Sequence, residues 1–351
     1  MNAFLNRVNI TKDKTILSAL KQMDTVNHKL LIVVDDNGYY EGLLSIGDIQ
    51  RSIISNISLD KSIHSIMRDD YIVSNESDSL EDIKKLMLRI RSEFMPVIND
   101  VKKIINIHLW QDLFSTNESE PFKEFNVPVI IMAGGFGTRL RPLTHVIPKP
   151  LIPIGKKTML EEIFDRFGKY GCNEFHISVN YKADLIKYYI ESQNLPYGVS
   201  YFEEDKPMGT AGSLSLLKNK INSTFFVSNC DILIDQDYSE ILEYHRQNEN
   251  EITIVAALKH YPIAYGTIET GEDGLLQDLT EKPELTFKIN SGMYILEPHL
   301  IDEIPTDDFF HITHLIENLK SAGRKVGVFP ISQNSWTDIG TWDEYMDVLG
   351  K

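Results

Sequence analysis

VIIMAGGFGTRLRPLTHVIPKPLIP, residues 129–153, decides how the rest of the chain is read. Val129, Ile130, Ile131 and Met132 run unbroken into glycine, the pattern of a short buried strand at the centre of an α/β sheet. Gly134, Gly135 and Gly137 then allow a tight turn and a close approach of backbone to a ligand. Thr138, Arg139 and Arg141 follow, and Lys149 sits between Pro148 and Pro150. Backbone N–H groups and cations gathered beside a strand end make a phosphate site. The spacing is not a dinucleotide fingerprint, because Leu140 stands where a third glycine is needed. It is not a P-loop either, because Gly-Thr-Arg replaces Gly-Lys-Ser/Thr.

Downstream, strand and helix patterns alternate, as in a sheet covered by helices on both faces. Residues 159–169 read as an amphipathic helix, 175–179 as a strand, 183–191 as a helix and 199–203 as a strand. In the phrase Pro207-Met208-Gly209-Thr210-Ala211-Gly212, the glycines permit close backbone approach and Thr210 suits the cap of a helix starting there. Residues 225–227 read as a buried strand ending at Cys230 and Asp231, and an aspartate at such an end is where open α/β sheets hold ligands. Cys230 reads as a buried neighbour of the site, since nothing near it in sequence supplies a base. Residues 237–247 follow as a helix, 252–258 as a strand, 326–329 as a late strand and 342–349 as a last helix. Between them lie Gly266 in a strand, the triplet Glu281-Lys282-Pro283, and Asn290, whose carboxamide offers both a donor and an acceptor. Ile301, Ile304 and Phe309 are expected to cover the core, and His299, His311 and His314 to be capping or surface residues.

Upstream, residues 2–10 read as a short strand or lead-in, 15–23 as a helix, 29–34 and 40–45 as strands around an Asp-Asp-Asn-Gly turn, and 46–53 as a helix. The order recurs at 79–89, with Leu80, Ile83, Leu86 and Met87 inward, then at 94–98, 103–107 and 109–114. Two such small copies are expected to pack on one another. They resemble a pair of cystathionine-β-synthase-type (CBS) domains through Gly42-Leu43-Leu44-Ser45-Ile46-Gly47-Asp48. That resemblance implies an adenine-nucleotide site using Gly42, Ser45 and Asp48, with Asp48 on a ribose. The second copy, Lys103-Ile104-Ile105-Asn106-Ile107-His108-Leu109, lacks the glycine and the acid. The domains are expected at 1–117 and 127–351, with a polar linker over 118–126.

The chain has 351 residues, 42% hydrophobic and 25% charged, an ordinary globular balance that rules out a disordered chain. A formal net charge of −16 argues against nucleic-acid or anionic-membrane binding, while leaving room for local phosphate sites. Two cysteines give neither a disulfide framework nor a metal motif, and no signal peptide or membrane span is seen, so a cytoplasmic location is expected.

GGFGTRLRPLT, PKPLIP, PMGTAGSL, EKP and the Trp336-Thr337-Asp338 phrase occur in one order. Together they resemble the sugar nucleotidyltransferases, which transfer a nucleotidyl group to a sugar 1-phosphate and release pyrophosphate. The resemblance implies a Rossmann-like, mixed-sheet (GT-A-like) α/β domain behind the CBS pair. It implies nucleotide contacts at Ala133, Gly134, Gly135, Gly137, Thr138, Gly209, Thr210 and Ala211. Sugar-phosphate contacts would be Gly266, Glu281, Lys282 and Asn290, with Asn180 and Tyr181 near the cleft. Arg139, Lys149, Asp231, Lys282 and Asp338 would be catalytic, and Asp231 and Asp338 would hold Mg²⁺. The RLRPLT and PKP phrases look most like guanylyltransferases. A fused CBS pair resembles the enzymes that activate glucosamine 1-phosphate with GTP for legionaminic acid in surface-glycan pathways. Mannose or heptose 1-phosphate, a thymidylyl or uridylyl donor, and a catalytically silent nucleotide-sensing subunit stay open as alternatives. A homodimer or larger homo-oligomer is expected, since CBS pairs associate face to face.

Overall fold

A computed structural model of the chain describes residues 2–68, 72–90, 92–114 and 123–350. The chain divides into two compact units, Met1–Pro121 and Phe122–Lys351. Most of the 118–126 stretch lies outside the described residues; its end does not behave as a linker. Phe125 stacks on Tyr170 and Phe226 (centroids 5.3 and 5.7 Å), and its N–H donates to the Tyr170 carbonyl. No helix among the described residues is long and apolar enough to cross a membrane.

The first unit repeats one design. Asn9–Thr11 pairs parallel with Leu30–Val34, which pairs antiparallel with Tyr40–Ser45. Ser74–Asn75, Phe94–Ile98 and Ile104–Leu109 do the same. Both copies carry a bulge at the matching place, Val33/Val34 in one and Val97/Ile98 in the other. The copies meet directly: Tyr40 N–H donates to the Lys102 carbonyl, and the Glu93 carboxylate accepts from the Lys29 N–H.

Two expectations are corrected here. Residues 2–8 are a helix, Asn2–Val8, rather than a strand. Phe4, Leu5 and Val8 are spaced for one helical face, and the Phe4 ring packs edge-on against His28 and Phe94. In the helix Leu80–Ile90, Ile83 and Met87 are buried one turn apart, while Leu80 at the first position is exposed.

The second unit is built on a seven-stranded mixed sheet. Across it run Gly198–Glu203, Glu174–Val179, Val129–Met132, Phe225–Asn229, Glu284–Leu296, Ile252–Pro262 and Val326–Ile331. The first four are mutually parallel; Glu284–Leu296 runs antiparallel to both its neighbours. Side chains alternate between two cores, as the pleat demands. Val129, Ile131 and Phe226 pack with the helices Met159–Gly168, Ala183–Ser192 and Tyr238–Gln247. Ile130, Phe225 and Val227 pack with Leu214, Ile301 and the helix Ile312–Ser321. Ile301 and Ile304 are buried as expected, but Phe309 is exposed, its ring standing edge-on to His311. Beyond the sheet, Thr267–Thr270 and Leu276–Thr280 form a separate two-stranded arm. Ile232–Ile234 pairs antiparallel with Trp336–Asp338.

Candidate active site

The Val129–Met132 strand delivers the glycine loop at the carboxyl ends of the parallel strands. Gly137 sits at φ +62°, and a Cβ there would lie 2.8 Å from Thr144 and 3.2 Å from the Lys149 Cβ. Only glycine lets this turn close against Lys149. The Thr144 hydroxyl fastens the turn by donating to the Gly137 carbonyl at 2.9 Å. Above Gly135 the space is open, so that backbone is free for a ligand. Ala133 is buried, whereas Thr138 and Arg139 are exposed in the short 3-10 turn Thr138–Leu140.

Lys149 is buried in the turn Lys149–Leu151, flanked by its two prolines, and its ammonium is bonded to the Asp231 carboxylate. Asp231 lies between Phe225–Asn229 and Ile232–Ile234. The register Ile232↔Asp338 places Asp338 diagonally across the ladder, and the Asp231 carbonyl accepts from the Ile339 N–H at 2.8 Å. Burial, then the Asp231 charge, pushes the Asp338 carboxyl above its ordinary value; Lys149 and Arg139 oppose this. A Cβ on Gly340 would fall 2.9 Å from both an Arg139 guanidinium nitrogen and Asp338 Oδ1, so glycine there lets Arg139 come alongside Asp338. Arg139, Lys149, Asp231 and Asp338, far apart in sequence, thus form one group.

Among the described residues, no three His, Cys, Asp or Glu side chains converge as a complete metal site. The two aspartates nevertheless fit a hard divalent cation whose remaining ligands are phosphate and water oxygens. Asp338 Oδ1 is buried without a hydrogen-bond partner, and the mutual repulsion of the two carboxylates is what a cation relieves. Cys230, beside them, is buried, and that burial pushes its thiol up to about 12, which disfavours a nucleophilic thiolate.

The remaining candidates fall in other places. Glu281 and Lys282 are exposed at the root of the arm, Lys282 at φ +46°. No hydrogen bond or ion pair among the described residues joins either one to the Arg139–Lys149–Asp231–Asp338 group. Gly266 faces Glu281, whose carboxylate lies 2.9 Å from where a Gly266 Cβ would be. The Asn290 side-chain oxygen accepts from the Gly292 N–H at 3.1 Å, shaping the strand where it passes Asn229. Asn180 donates to the Glu204 carbonyl, and the Tyr181 hydroxyl donates to the Thr144 carbonyl, tying the neighbouring loops together.

The Gly209-Thr210-Ala211 loop is held by protein. A Gly209 Cβ would lie 2.6 Å from the Phe310 carbonyl oxygen, and the Ala211 N–H donates to that oxygen. Thr210 does not cap the turn that follows it, Gly212–Leu217. Its hydroxyl accepts from the Ile312 N–H at 3.0 Å, capping the helix Ile312–Ser321 instead, because residues 308–312 pack across the loop. His311 is the cap residue of that helix, and His299 bonds Glu251.

Glu204 was not anticipated. It is buried, accepts from the Ser178 hydroxyl and from the Met208 N–H, and fills the space over Gly134. One carboxylate therefore spaces the glycine loop from the 207–212 loop. The signal was the alternation of strand Gly198–Glu203, which turns Phe202 inward, Glu203 outward and Glu204 inward again.

In the first unit, Ser45 caps the helix Ile46–Ile54, and Asp48 closes the capping box. The Asp48 carboxylate accepts from the Ser45 N–H (2.9 Å) and hydroxyl (2.6 Å), from Arg68 (2.6 Å) and from Arg51. Burial alone would raise it; these bonds outweigh burial and hold it below its ordinary range. Asp48 borders a cavity of about 510 Å³ with Arg51, Ser52, Ser65, Ile66 and Arg68. Gly42 abuts the Met67 methyl.

The family described as nucleotidyl transferase matches residues 128–351, and the CBS domain family matches residues 6–55, the first of the two copies. The chain is 37% identical over 231 residues to mannose-1-phosphate guanylyltransferase catalytic subunit beta of Dictyostelium discoideum, an alignment covering 63% of each chain. It is 33% identical over 229 residues to mannose-1-phosphate guanyltransferase of Pichia angusta, covering 62% of each. The chain thus spans under two thirds of the length of these curated relatives. Among solved structures, HddC from Yersinia pseudotuberculosis superposes with a TM-score of 0.51 at 28% identity, covering 64% of this chain and 98% of that one.

Proposed function

The chain belongs to the nucleotidyl transferase family, and from that membership we propose that it transfers a guanylyl group from GTP to a sugar 1-phosphate. The observation that carries this reading is the convergence of Arg139, Lys149, Asp231 and Asp338 beside a glycine loop open over Gly135. An oxygen of the sugar phosphate attacks the α-phosphorus, the new P–O bond forms, and the bond to the bridging β-oxygen breaks. Pyrophosphate leaves with that electron pair. No side-chain base is required, since the nucleophile is already ionised; placement and charge neutralisation do the catalysis. Backbone at Ala133, Gly134, Gly135 and Gly137 takes the phosphates, and Arg139 holds the departing pair. Lys149 turns from Asp231 to the α-phosphate oxygen. Lys282 and Glu281, on the arm with Gly266, engage the sugar phosphate and its hydroxyls, and Asn290 a further hydroxyl. Mg²⁺ held by Asp231 and Asp338 would neutralise charge on the nucleotide phosphates.

Glucosamine 1-phosphate is the acceptor we favour, on the resemblance of the front unit plus catalytic unit to enzymes of legionaminic acid synthesis. Mannose 1-phosphate is the second reading, favoured by the names of the curated relatives. For the first unit we propose adenine-nucleotide binding at Gly42, Ser45 and Asp48, in which a ribose displaces Arg51 or Arg68 from the carboxylate. We place the protein in the cytoplasm.

The test is a matrix of each nucleoside triphosphate with glucosamine, mannose, heptose and glucose 1-phosphates plus Mg²⁺, read as pyrophosphate release. GTP with glucosamine 1-phosphate is expected to be fastest. A clear dTTP or UTP preference refutes the nucleotide assignment. Silence of folded protein across the matrix refutes the enzyme reading.

A further inference from the structure

Between Lys282 and the Arg139–Lys149–Asp231–Asp338 group stands a cation with no role so far. Lys259 lies on the strand Ile252–Pro262, paired across with Phe287. Alternation along that strand puts it on the face of Ala257, which belongs to the core that also takes Cys230, Ile232 and Ile339, the chain neighbours of Asp231 and Asp338. His260, one residue on, points the other way, to the Thr286 hydroxyl at 2.8 Å. Lys259 is half-buried, and its ammonium lies 5.9 Å from the Trp336 ring centroid and 5.7 Å from that of Tyr261. The indole N–H of Trp336 donates to the Ser291 carbonyl at 3.1 Å, which holds that ring in place. Trp336 and Asp338 share one side of the ladder with Ile232–Ile234, about 7 Å apart by the strand rise. In the other direction, the Ile263 N–H, just past the end of the same strand, donates to the carbonyl of Pro283, the residue after Lys282. Lys259 is thus placed between Lys282 at the root of the arm and Asp338.

With 51 Asp and Glu against 35 Lys and Arg, a lysine of this chain readily finds a carboxylate. Lys259 has no ion pair among the described residues and rests on aromatic faces instead. A cation–π contact at a half-exposed site is weak, and a charge-assisted bond to a phosphate oxygen is stronger. Given the transferase reading above, we propose that Lys259 binds the phosphate of the sugar 1-phosphate, leaving the rings of Trp336 and Tyr261 to do so. An acceptor whose hydroxyls sit on Glu281 beside Gly266 must bring its phosphate across this span to reach an α-phosphorus held near Asp231 and Asp338. Lys282, exposed at φ +46°, meets the arm end of the span. Lys259, on a strand of the main sheet, meets it nearer the reacting atoms and sets the direction from which the nucleophilic oxygen approaches. A phosphate dianion has oxygens enough for both lysines, whereas a free sugar offers Lys259 no charge to bind.

The experiment is calorimetric titration of the full chain with each sugar 1-phosphate of the matrix above. Mg²⁺ is present with a GTP analogue carrying a methylene in place of the α,β-bridging oxygen, so that both substrates bind without reacting. Lys259→Met is expected to weaken the sugar 1-phosphate by roughly 10–100-fold, the worth of one bond to a charged group, with affinity for the analogue unchanged. Lys259→Arg is expected to recover most of that loss. Should Lys259→Met fail to fold, Lys259→Gln is judged by the same ratio. An unchanged sugar 1-phosphate affinity in the folded neutral variant overturns the inference. So does an equal loss for both ligands, which would make Lys259 only a packing partner of Trp336. A parent that binds a sugar 1-phosphate but releases no pyrophosphate refutes the enzyme reading and leaves the affinity ratio to decide the role of Lys259. A folded parent that binds none of them overturns both.

Discussion

Replacing Lys149 with methionine separates what the lysine does for the resting protein from what it does for the reaction. Methionine preserves length and packing between Pro148 and Pro150 but removes the charge bonded to Asp231. The Lys149 side chain is 9% exposed and that of Asp231 16%, so Asp231 is left partly desolvated, with Asp338 as its carboxylate neighbour. Removing one partner from a buried pair costs about 3–5 kcal/mol, and the residual exposure of Asp231 places this case near 3. For a unit of this size that is a fall of roughly 6–12 °C in melting temperature. The assay is thermal unfolding followed by circular dichroism, in EDTA and again in excess Mg²⁺. In EDTA the variant is expected to melt lower by that amount; in Mg²⁺ the gap should narrow, because the cation takes over neutralisation of Asp231 and Asp338. Turnover should nevertheless stay roughly 100–1,000-fold down, since Mg²⁺ does not replace the lysine's contact to the α-phosphate. A Lys149→Met midpoint within about 2 °C of the parent in EDTA, about 0.5–1 kcal/mol, would refute the argument. So would a gap that ignores Mg²⁺.

Asp338→Asn removes a buried carboxylate that faces another. It should melt at or above the parent in EDTA while losing at least roughly 100-fold in pyrophosphate release. Lys282→Ala should raise KM for the sugar 1-phosphate several-fold with KM for GTP little changed, measured by varying each substrate in turn. Gly209→Ala forces a side chain onto a φ of +82° with its Cβ 2.6 Å from the Phe310 carbonyl, so unfolding free energy in urea should drop by about 2 kcal/mol or more. Bonds from Arg324, then His299, hold Glu251 at about 2, below its unfolded value. That contribution is complete above the unfolded carboxylate pKa and is lost as pH falls toward 2. The stability gap between parent and Arg324→Met, about 1 kcal/mol after allowing for solvent screening, should therefore shrink between pH 6 and pH 3 in urea titrations.

Sequence periodicity placed the strands of the catalytic sheet well, because Val129–Met132 and Phe225–Asn229 are continuous apolar runs with helices of clear amphipathic period between them. The helix Trp342–Leu349 was legible to the residue, since Thr341 and Glu344 spell a capping box. Asn2–Val8 was misread because a short segment carries too few turns to separate periods of 2 and 3.6. The meeting of Asp231 with Asp338 rests on the Ile232–Ile234 ladder with Trp336–Asp338, a long-range pairing that spacing alone does not reveal; family resemblance supplied it. Thr210 sits where a cap belongs, but the helix it caps begins a hundred residues later. Gly42-Leu43-Leu44-Ser45 announced a ligand motif, yet the arginines that occupy Asp48 come from Arg51 and from Arg68, the latter outside any motif.

Glu284–Leu296 covers 13 residues and pairs with Ile252–Pro262 on either side of a bulge, where residues 291–293 stand opposite Val255 alone. It begins beside the exposed arm and ends in the centre of the sheet. Along it lie Phe287 near the arm, then Asn290, then Gly292, whose missing Cβ is the space into which the Asn229 carboxamide fits at 2.5 Å. Asn229 is two residues from Asp231. The carboxamide seated in that notch keys the bulge to the segment that carries Asp231. A side chain at position 292 would therefore disturb the approach to Asp231 as well as the strand itself.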